Sequence, residues 1–277
     1  MKLAVAIAGR EAQPSAFVVW RGFEESIAKA ADMGYHGVEL ALKTAEDVNP
    51  TQIDKWLSQS NMEVSCISTG QVFAALGLYF THHDSSARER VIRVFAGLIH
   101  LAKDFGKLVN VGRTRGFIDK NQSYDEAERL FIDTTRQICD IAGEHGVSIV
   151  IEPVNRYEIN FVNNLDEGAE ILAKVGRENI GLMPDVFHMN IEDAHIGESL
   201  TSHSDLVKYI HLADSNRLAP GWGHLDFKDV FSGLLRGRFN GWASIEILPK
   251  PDPDSAAKQA VEAVLPLIEE YNRDLQS

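Results

Sequence analysis

VSIVIEP at 147–153, NIGLMPDVFH at 179–188, KYIHLADSNR at 208–217 and WASIEILP at 242–249 are four short apolar runs, each carrying an ionisable residue where it should end. Their Val, Ile and Leu content suits strands covered on both faces, because no solvated alternate face interrupts them. Glu152, Asp185, His211 and Glu246 stand where these strands should pass into loop. Side chains of a strand alternate, so Glu152 shares a side with Ser148 and Val150, His211 with Tyr209 and Ala213, and Glu246 with Ser244. Asp185 follows Gly181 and Met183 in the same parity, just past Pro184.

Working outward, the same kind of run recurs at 2–8, 36–41, 63–68 and 107–112, so eight strands are predicted in all. Between most of them lie stretches with apolar residues at three-to-four spacing: FEESIAKAADMG, PTQIDKWLSQSN, SARERVIRVFAGLIHLAKDFG, SYDEAERLFIDTTRQICDIAGEHG and LDEGAEILAKVG. Several close on glycine, the residue that most readily takes the left-handed turn ending a helix. DSAAKQAVEAVLPLIEEYNRDL supplies a last helix. Repeated strand–helix units with a final helix predict an α/β fold, the (β/α)8 TIM barrel, whose catalytic groups sit at the C-terminal ends of the strands. A doubly wound open sheet is the competitor, but its glycine-rich phosphate loop is missing from AIAGREAQPS. No long Pro-, Gly- or Ser-rich linker divides the chain, and PKPDPDS at 249–255 precedes only one helix. Residues 1–277 therefore read as one domain.

Forty acidic residues against twenty-seven basic ones leave a formal charge of -13, which argues against nucleic acid or an anionic membrane as partner. Cys66 and Cys139 form no zinc-like cluster and suit free thiols. MKLAVAIAGR reads as a first strand rather than a signal-peptide core, and no segment is apolar for long enough to span a bilayer. A cytoplasmic protein is the expectation.

Three carboxylates converging on a barrel axis would repel one another strongly unless a cation joined them. The plainer reading makes each residue incidental: Asp185 a helix cap, Glu152 and Glu246 paired in loops, His211 a satisfied core ring. Taken together, the four read as ligands of a divalent ion. One nitrogen and three carboxylates favour Mn²⁺, Mg²⁺ or Co²⁺ over a thiolate-type zinc site, with Zn²⁺ still chemically acceptable. Glu158, His188 and Arg217 follow the same strand ends and are placed to orient a polyol or carbonyl substrate. Asn155, Asn190 and Asn216 read as turn or supporting residues. In the first half, Glu39 in GVEL is balanced between a satisfied strand-end acid and a site residue. Arg113 and Arg115 in NVGRTRG are candidates to meet a substrate carboxylate. His82 and His83 read as surface, with a mobile loop over the mouth as the alternative, and Phe73, Leu76, Leu78, Tyr79 and Phe80 as core, with a lid or subunit contact as theirs.

IEPVNRYE, MPDVFHMN, HLADSNRLAPGWGHLDF and SIEILP resemble the sugar isomerase/epimerase family built on the xylose-isomerase-like barrel, especially its ketose 3-epimerases. STGQVFAALGLYFTHHD and GRTRG look like the branch acting on 5-keto-L-gluconate. The resemblance implies that Glu152 and Glu246 bind the metal and also form the acid/base pair, while Asp185 and His211 complete the metal shell. It assigns substrate orientation to Glu158, His188 and Arg217. It further implies a Mn²⁺-favouring homo-oligomer, dimer or tetramer, acting on a small sugar or sugar acid through a cis-enediolate. An aldose–ketose or hydroxypyruvate isomerase is the alternative, with aldose–ketose isomerisation using the same intermediate but reprotonating the neighbouring carbon; a metal-dependent endonuclease or a non-catalytic sugar-binding protein is a remoter one.

Overall fold

The computed structural model describes residues 1–13 and 15–276. Its strands are β1 (Lys2–Ala8), β2 (Trp20–Arg21), β3 (Gly37–Ala41), β4 (Glu63–Ser68), β5 (Leu108–Val111), β6 (Ser148–Ile151), β7 (Ile180–Leu182), β8 (Tyr209–Leu212) and β9 (Trp242–Ile245). Every pairing between them is parallel. They run in the order β7-β6-β5-β4-β3-β1-β9-β8, with the two-residue β2 beside β1. Bridges Leu182–Val207 and Asp185–His211 join the two ends, so the eight longer strands form a nearly closed barrel.

Helices separate the strands as the apolar spacing predicts: α1 (Phe23–Asp32), α2 (Pro50–Ser60), α3 (Gly70–Leu76), α4 (Ser85–Ala102), α5 (Tyr124–Glu144), α6 (Leu165–Val175), α7 (Val186–Glu192), α8 (Ile196–Ser202), α9 (Phe227–Arg236) and α10 (Pro253–Gln276). Their starts are chemically marked. Asn49, Asp84, Ser123, Asn164 and Asp226 each accept a first-turn backbone N–H, which removes one of the donors a helix start leaves unpaired. This is the α/β barrel read from the sequence.

Two apolar layers follow from strand parity. Outward-facing Ile149, Ile151, Leu182, Ile210, Leu212 and Ile245 join helix residues such as Phe131, Ile138, Ile171, Val230, Val264 and Ile268 in the main core. Inward-facing Cys66, Leu108, Val150, Met183 and Tyr209, with Trp242 against them, plug the barrel. Val150, Met183 and Tyr209 each precede a candidate ligand by two residues, so Glu152, Asp185 and His211 continue the inward column above the plug. Ser244, wholly buried, does the same for Glu246. The plug explains why the barrel is a packed core with a site at one end.

β7 is shorter than its apolar run because Pro184 has no N–H to donate and Asp185 turns the chain into α7. Leu78 and Phe80 are buried as expected, whereas Phe73, Leu76 and Tyr79 are only half-buried. Both cysteines are free and buried. No helix among the described residues is long and apolar enough to cross a membrane.

Candidate metal centre and its surroundings

The barrel ladder sets the four side chains. Glu152 donates its backbone N–H to Val111 at 3.1 Å, His211 to Pro184 at 2.9 Å and Glu246 to Leu212 at 3.3 Å. The backbone at each site is therefore fixed by a neighbouring strand. Asp185 does two jobs at once: Oδ1 caps α7 by accepting the Phe187 N–H at 2.9 Å, while Oδ2 faces the barrel axis. One ligand atom from each of Glu152, Asp185, His211 and Glu246 lies within 4.8 Å of all the others.

The histidine is oriented for a cation. His211 Nε2 lies 2.9 and 3.1 Å from the two oxygens of Glu39, which accepts its proton. That leaves Nδ1 as the ring's free nitrogen, aimed at Glu152 and Glu246 oxygens 3.4 and 3.6 Å away and without a hydrogen-bond partner. A buried polar atom left in this way costs about 1–3 kcal/mol. A carboxylate holding the far side of a histidine is the usual companion of a metal-ligating imidazole.

Electrostatics agree. Burial raises Asp185 above its ordinary value, with Arg217 and His211 opposing. Burial likewise pushes Glu246 up to about 8, with His211 and Arg217 pulling it down and Glu152 and Asp185 raising it further. At His211, burial disfavours the charged ring, yet Glu39, Glu246 and Glu152 outweigh it and hold the group well above an ordinary histidine. The cluster thus favours positive charge, which a divalent ion held by Nδ1 and the carboxylates would supply. These donors suit a divalent cation.

Around the cluster, Arg217 donates one Nη to Asp185 and the other to Glu246, with its guanidinium between the rings of Phe17 and Phe187 at 4.7 and 4.8 Å. His188 lies on α7. Asn155 donates its amide to His188 Nδ1 at 2.7 Å and accepts the Tyr157 N–H at 3.0 Å. Those two bonds fix the His188 tautomer, with the proton on Nε2 facing the site. Burial, then Arg217, keeps this ring well below the usual histidine range, so it stays a neutral donor. Asn155 also donates to Glu158 at 3.2 Å, supporting two of the expected substrate-orienting residues together. Asn216 is a turn residue, bonded to Trp222 and Leu218 backbone. Glu152, Glu158, His188, Arg217, Glu246 and Arg113 surround one cavity of about 50 Å³ over the cluster.

Arg115 needs correction. It was expected to meet a substrate carboxylate, but its side chain is fully buried and does not line the cavity. Its guanidinium donates to the backbone carbonyls of Glu152 and, at 2.7 Å, Phe161. Two residues along a 3₁₀ turn, Arg115 points inward while Arg113 stays half-exposed, so GRTRG splits its arginines between scaffold and site. Arg115→Met should cost on the order of 3 kcal/mol in urea unfolding, since charged donors are lost from two buried carbonyls. It should also shift KM equally for neutral and acidic substrates; a selective loss of the acid would restore the original reading. His82 stacks on His83 and lies tilted against Tyr79, and neither histidine lines the cavity.

Three supporting residues escaped or divided the sequence reading. Glu39 is one. Asn110 is another, donating to Glu152 Oε2 at 3.3 Å. Asp214 is the third: it accepts backbone N–H groups of Ser215, Gly221 and Leu225 at 2.7, 2.8 and 3.1 Å and so shapes the loop carrying Arg217. Arg217 itself has φ of 63°, a left-handed backbone that this loop must hold. Glycines leave room for these acids: a Cβ on Gly112 would stand 2.5 Å from Glu152 Oε2, and one on Gly223 2.1 Å from Asp214 Oδ1. An acid immediately after a strand and before a Gly-x-Gly turn was the available signal for Asp214.

The chain matches the family described as Xylose isomerase-like TIM barrel over residues 27–267, and belongs to it. An L-ribulose 3-epimerase of Methylomonas sp. (strain DH-1) is 28% identical over 231 residues, 81% of this chain and 78% of that protein. A ketose 3-epimerase of Arthrobacter globiformis is 27% identical over 79% of this chain and 75% of its own length. The crystal structure of a D-allulose 3-epimerase from Methylomonas sp. superposes with a TM-score of 0.83 at 22% identity, covering 98% of each chain, which shows the shared fold. With a candidate divalent-cation site in this barrel, the chain is a metal-dependent enzyme of the sugar epimerase/isomerase kind.

Proposed function

We propose that the protein epimerises a ketose or keto-sugar acid beside its carbonyl, with Glu152, Asp185, His211 and Glu246 holding a divalent cation, Mn²⁺ first among Mn²⁺, Mg²⁺, Co²⁺ and Zn²⁺. The observation that carries this reading is the partnerless His211 Nδ1 facing two glutamates, with Arg217 bridging Asp185 and Glu246. A bound cation supplies Lewis-acid polarisation of the carbonyl and neighbouring hydroxyl oxygens.

The chain's own residues do the rest. One of Glu152 and Glu246 removes the proton from the carbon between those oxygens, giving a cis-enediolate. The other returns a proton to the opposite face and inverts the centre. They extend from β6 and β9, strands separated by two others across the mouth, which suits attack from two sides. Arg217 and His188 donate to the oxygens on which charge develops, and Glu158 accepts from a substrate hydroxyl.

An acidic substrate, of which 5-keto-L-gluconate is the one favoured, is supported by Arg113. It lines the cavity and lies 5.8 Å over the Phe73 ring, with no carboxylate partner among the described residues. Arg113→Ala should raise KM for the keto acid at least ten-fold more than for a neutral ketose; equal shifts would leave the neutral sugar as substrate. The central test strips the protein with a chelator, then offers neutral ketoses and keto acids in D₂O with and without Mn²⁺. Mn²⁺-dependent deuterium at the inverted carbon supports epimerisation. Label at the neighbouring carbon identifies an isomerase instead, and exchange that survives chelation overturns the metal centre.

A further inference from the structure

We propose that a second sugar subsite adjoins the metal centre, so that among neutral ketoses the preferred substrate carries a further glycosyl unit; this rests on the epimerase reading. The space over the metal cluster, about 50 Å³, is far below the 300–1,000 Å³ of ordinary small-molecule sites. Next to it lies a separate cavity of about 560 Å³. Ala41 and Gln71 line both, so the two are neighbours across a single wall. Gln71, nearly buried, belongs to that wall and accepts the Gln13 backbone N–H at 2.8 Å.

The larger cavity has the chemistry of a polyol site. Half-buried Trp56 offers a flat apolar face for the C–H side of a pyranose ring, and the acids and the Gln71 amide around it suit hydroxyl groups. Its two cations are already matched: Arg10 with Glu25 at 3.2 Å and Lys43 with Asp47 at 3.0 Å. Glu11 and Glu24 add further negative charge to the lining. A phosphate or carboxylate would be repelled, whereas a neutral hydroxylated ring fits. The reacting ketose then occupies the metal side, and its O4 or O6 substituent passes the Gln71 wall into the Trp56 cavity.

The test uses Mn²⁺-loaded full-length protein and compares D-fructose with lactulose and isomaltulose, in which O4 or O6 of fructose carries a hexose. Deuterium exchange should proceed with kcat/KM at least ten-fold higher for one of the disaccharides. Trp56→Ala should erase that advantage while leaving fructose within two-fold of wild type, and Trp56→Phe should restore part of it. Equal loss for all three sugars, or no disaccharide advantage in wild type, overturns the subsite. Saturation-transfer NMR with isomaltitol and lactitol, the 6-O- and 4-O-glycosyl alditols with no carbonyl to react, reads occupancy independently of turnover. A Trp56-dependent signal with no exchange on any sugar would leave the subsite standing and sink the epimerase reading. Absence of that signal would sink the subsite.

Discussion

Glu246→Gln is expected to lower deuterium exchange into substrate by roughly 10²–10⁴-fold, the span of a lost acid/base group, at saturating Mn²⁺. The amide keeps the shape and one oxygen for Arg217, so the fold should survive. Melting temperature should stay level or rise, because a largely but not fully buried carboxyl already pushed up to about 8 is replaced by a neutral group. Cation affinity should fall as well, since one of four donors weakens. Titrating metal in parallel separates that loss from the loss of proton transfer. Exchange that returns to the wild-type rate once metal saturates would remove Glu246 from the proton-transfer role and leave it a ligand only.

Glu39→Gln should act differently. Glu39 never faces the cavity: it lies wholly buried beneath His211, bonded to that ring and to Tyr209 OH at 2.9 Å, with Ser65 Oγ 2.6 Å from the same hydroxyl. Burial penalises its charge, but His211 and the hydroxyl donors outweigh the penalty and hold it below the usual carboxylate range. Neutralising it loses the negative partner that orients and enriches the imidazole. Outer-shell changes of this kind cost about 10–100-fold in metal affinity, so the chelator concentration that strips Mn²⁺ should fall by that factor. Turnover with excess Mn²⁺ should recover to within a few-fold of wild type. Unchanged metal affinity would reduce Glu39 to a packing residue of the barrel plug, and the Nδ1 assignment of His211 would fall with it.

How far the chain was legible differs from residue to residue. The candidate ligands were readable because one local rule, two-residue alternation, links each of them to an inward-facing buried neighbour: Val150, Met183 and Tyr209 of the plug, and Ser244 beside it. Asp185 satisfied both readings offered for it, capping α7 with one oxygen and facing the site with the other. Glu39 remained balanced because its partner, His211, is 172 residues away, and no local pattern states such a pairing. Arg115 departs from its expectation for a local reason. Alternate residues of a strand share a side, but Arg113 and Arg115 lie on a 3₁₀ turn, where positions two apart diverge.

The sequence by itself determined the eight strand–helix units, and hence the barrel, because burial of alternating or continuous apolar runs is a local demand written in residue order. It also determined which ionisable groups stand at strand ends, and therefore the class of chemistry. Only the tertiary structure decided which nitrogen of His211 is free, that Arg115 braces Glu152 rather than a substrate, and that a Trp56-lined cavity shares Ala41 and Gln71 with the one over the candidate ligands. Those are matters of distance between residues far apart in the chain, set by how eight tilted strands close on one another, and period and composition carry no record of them.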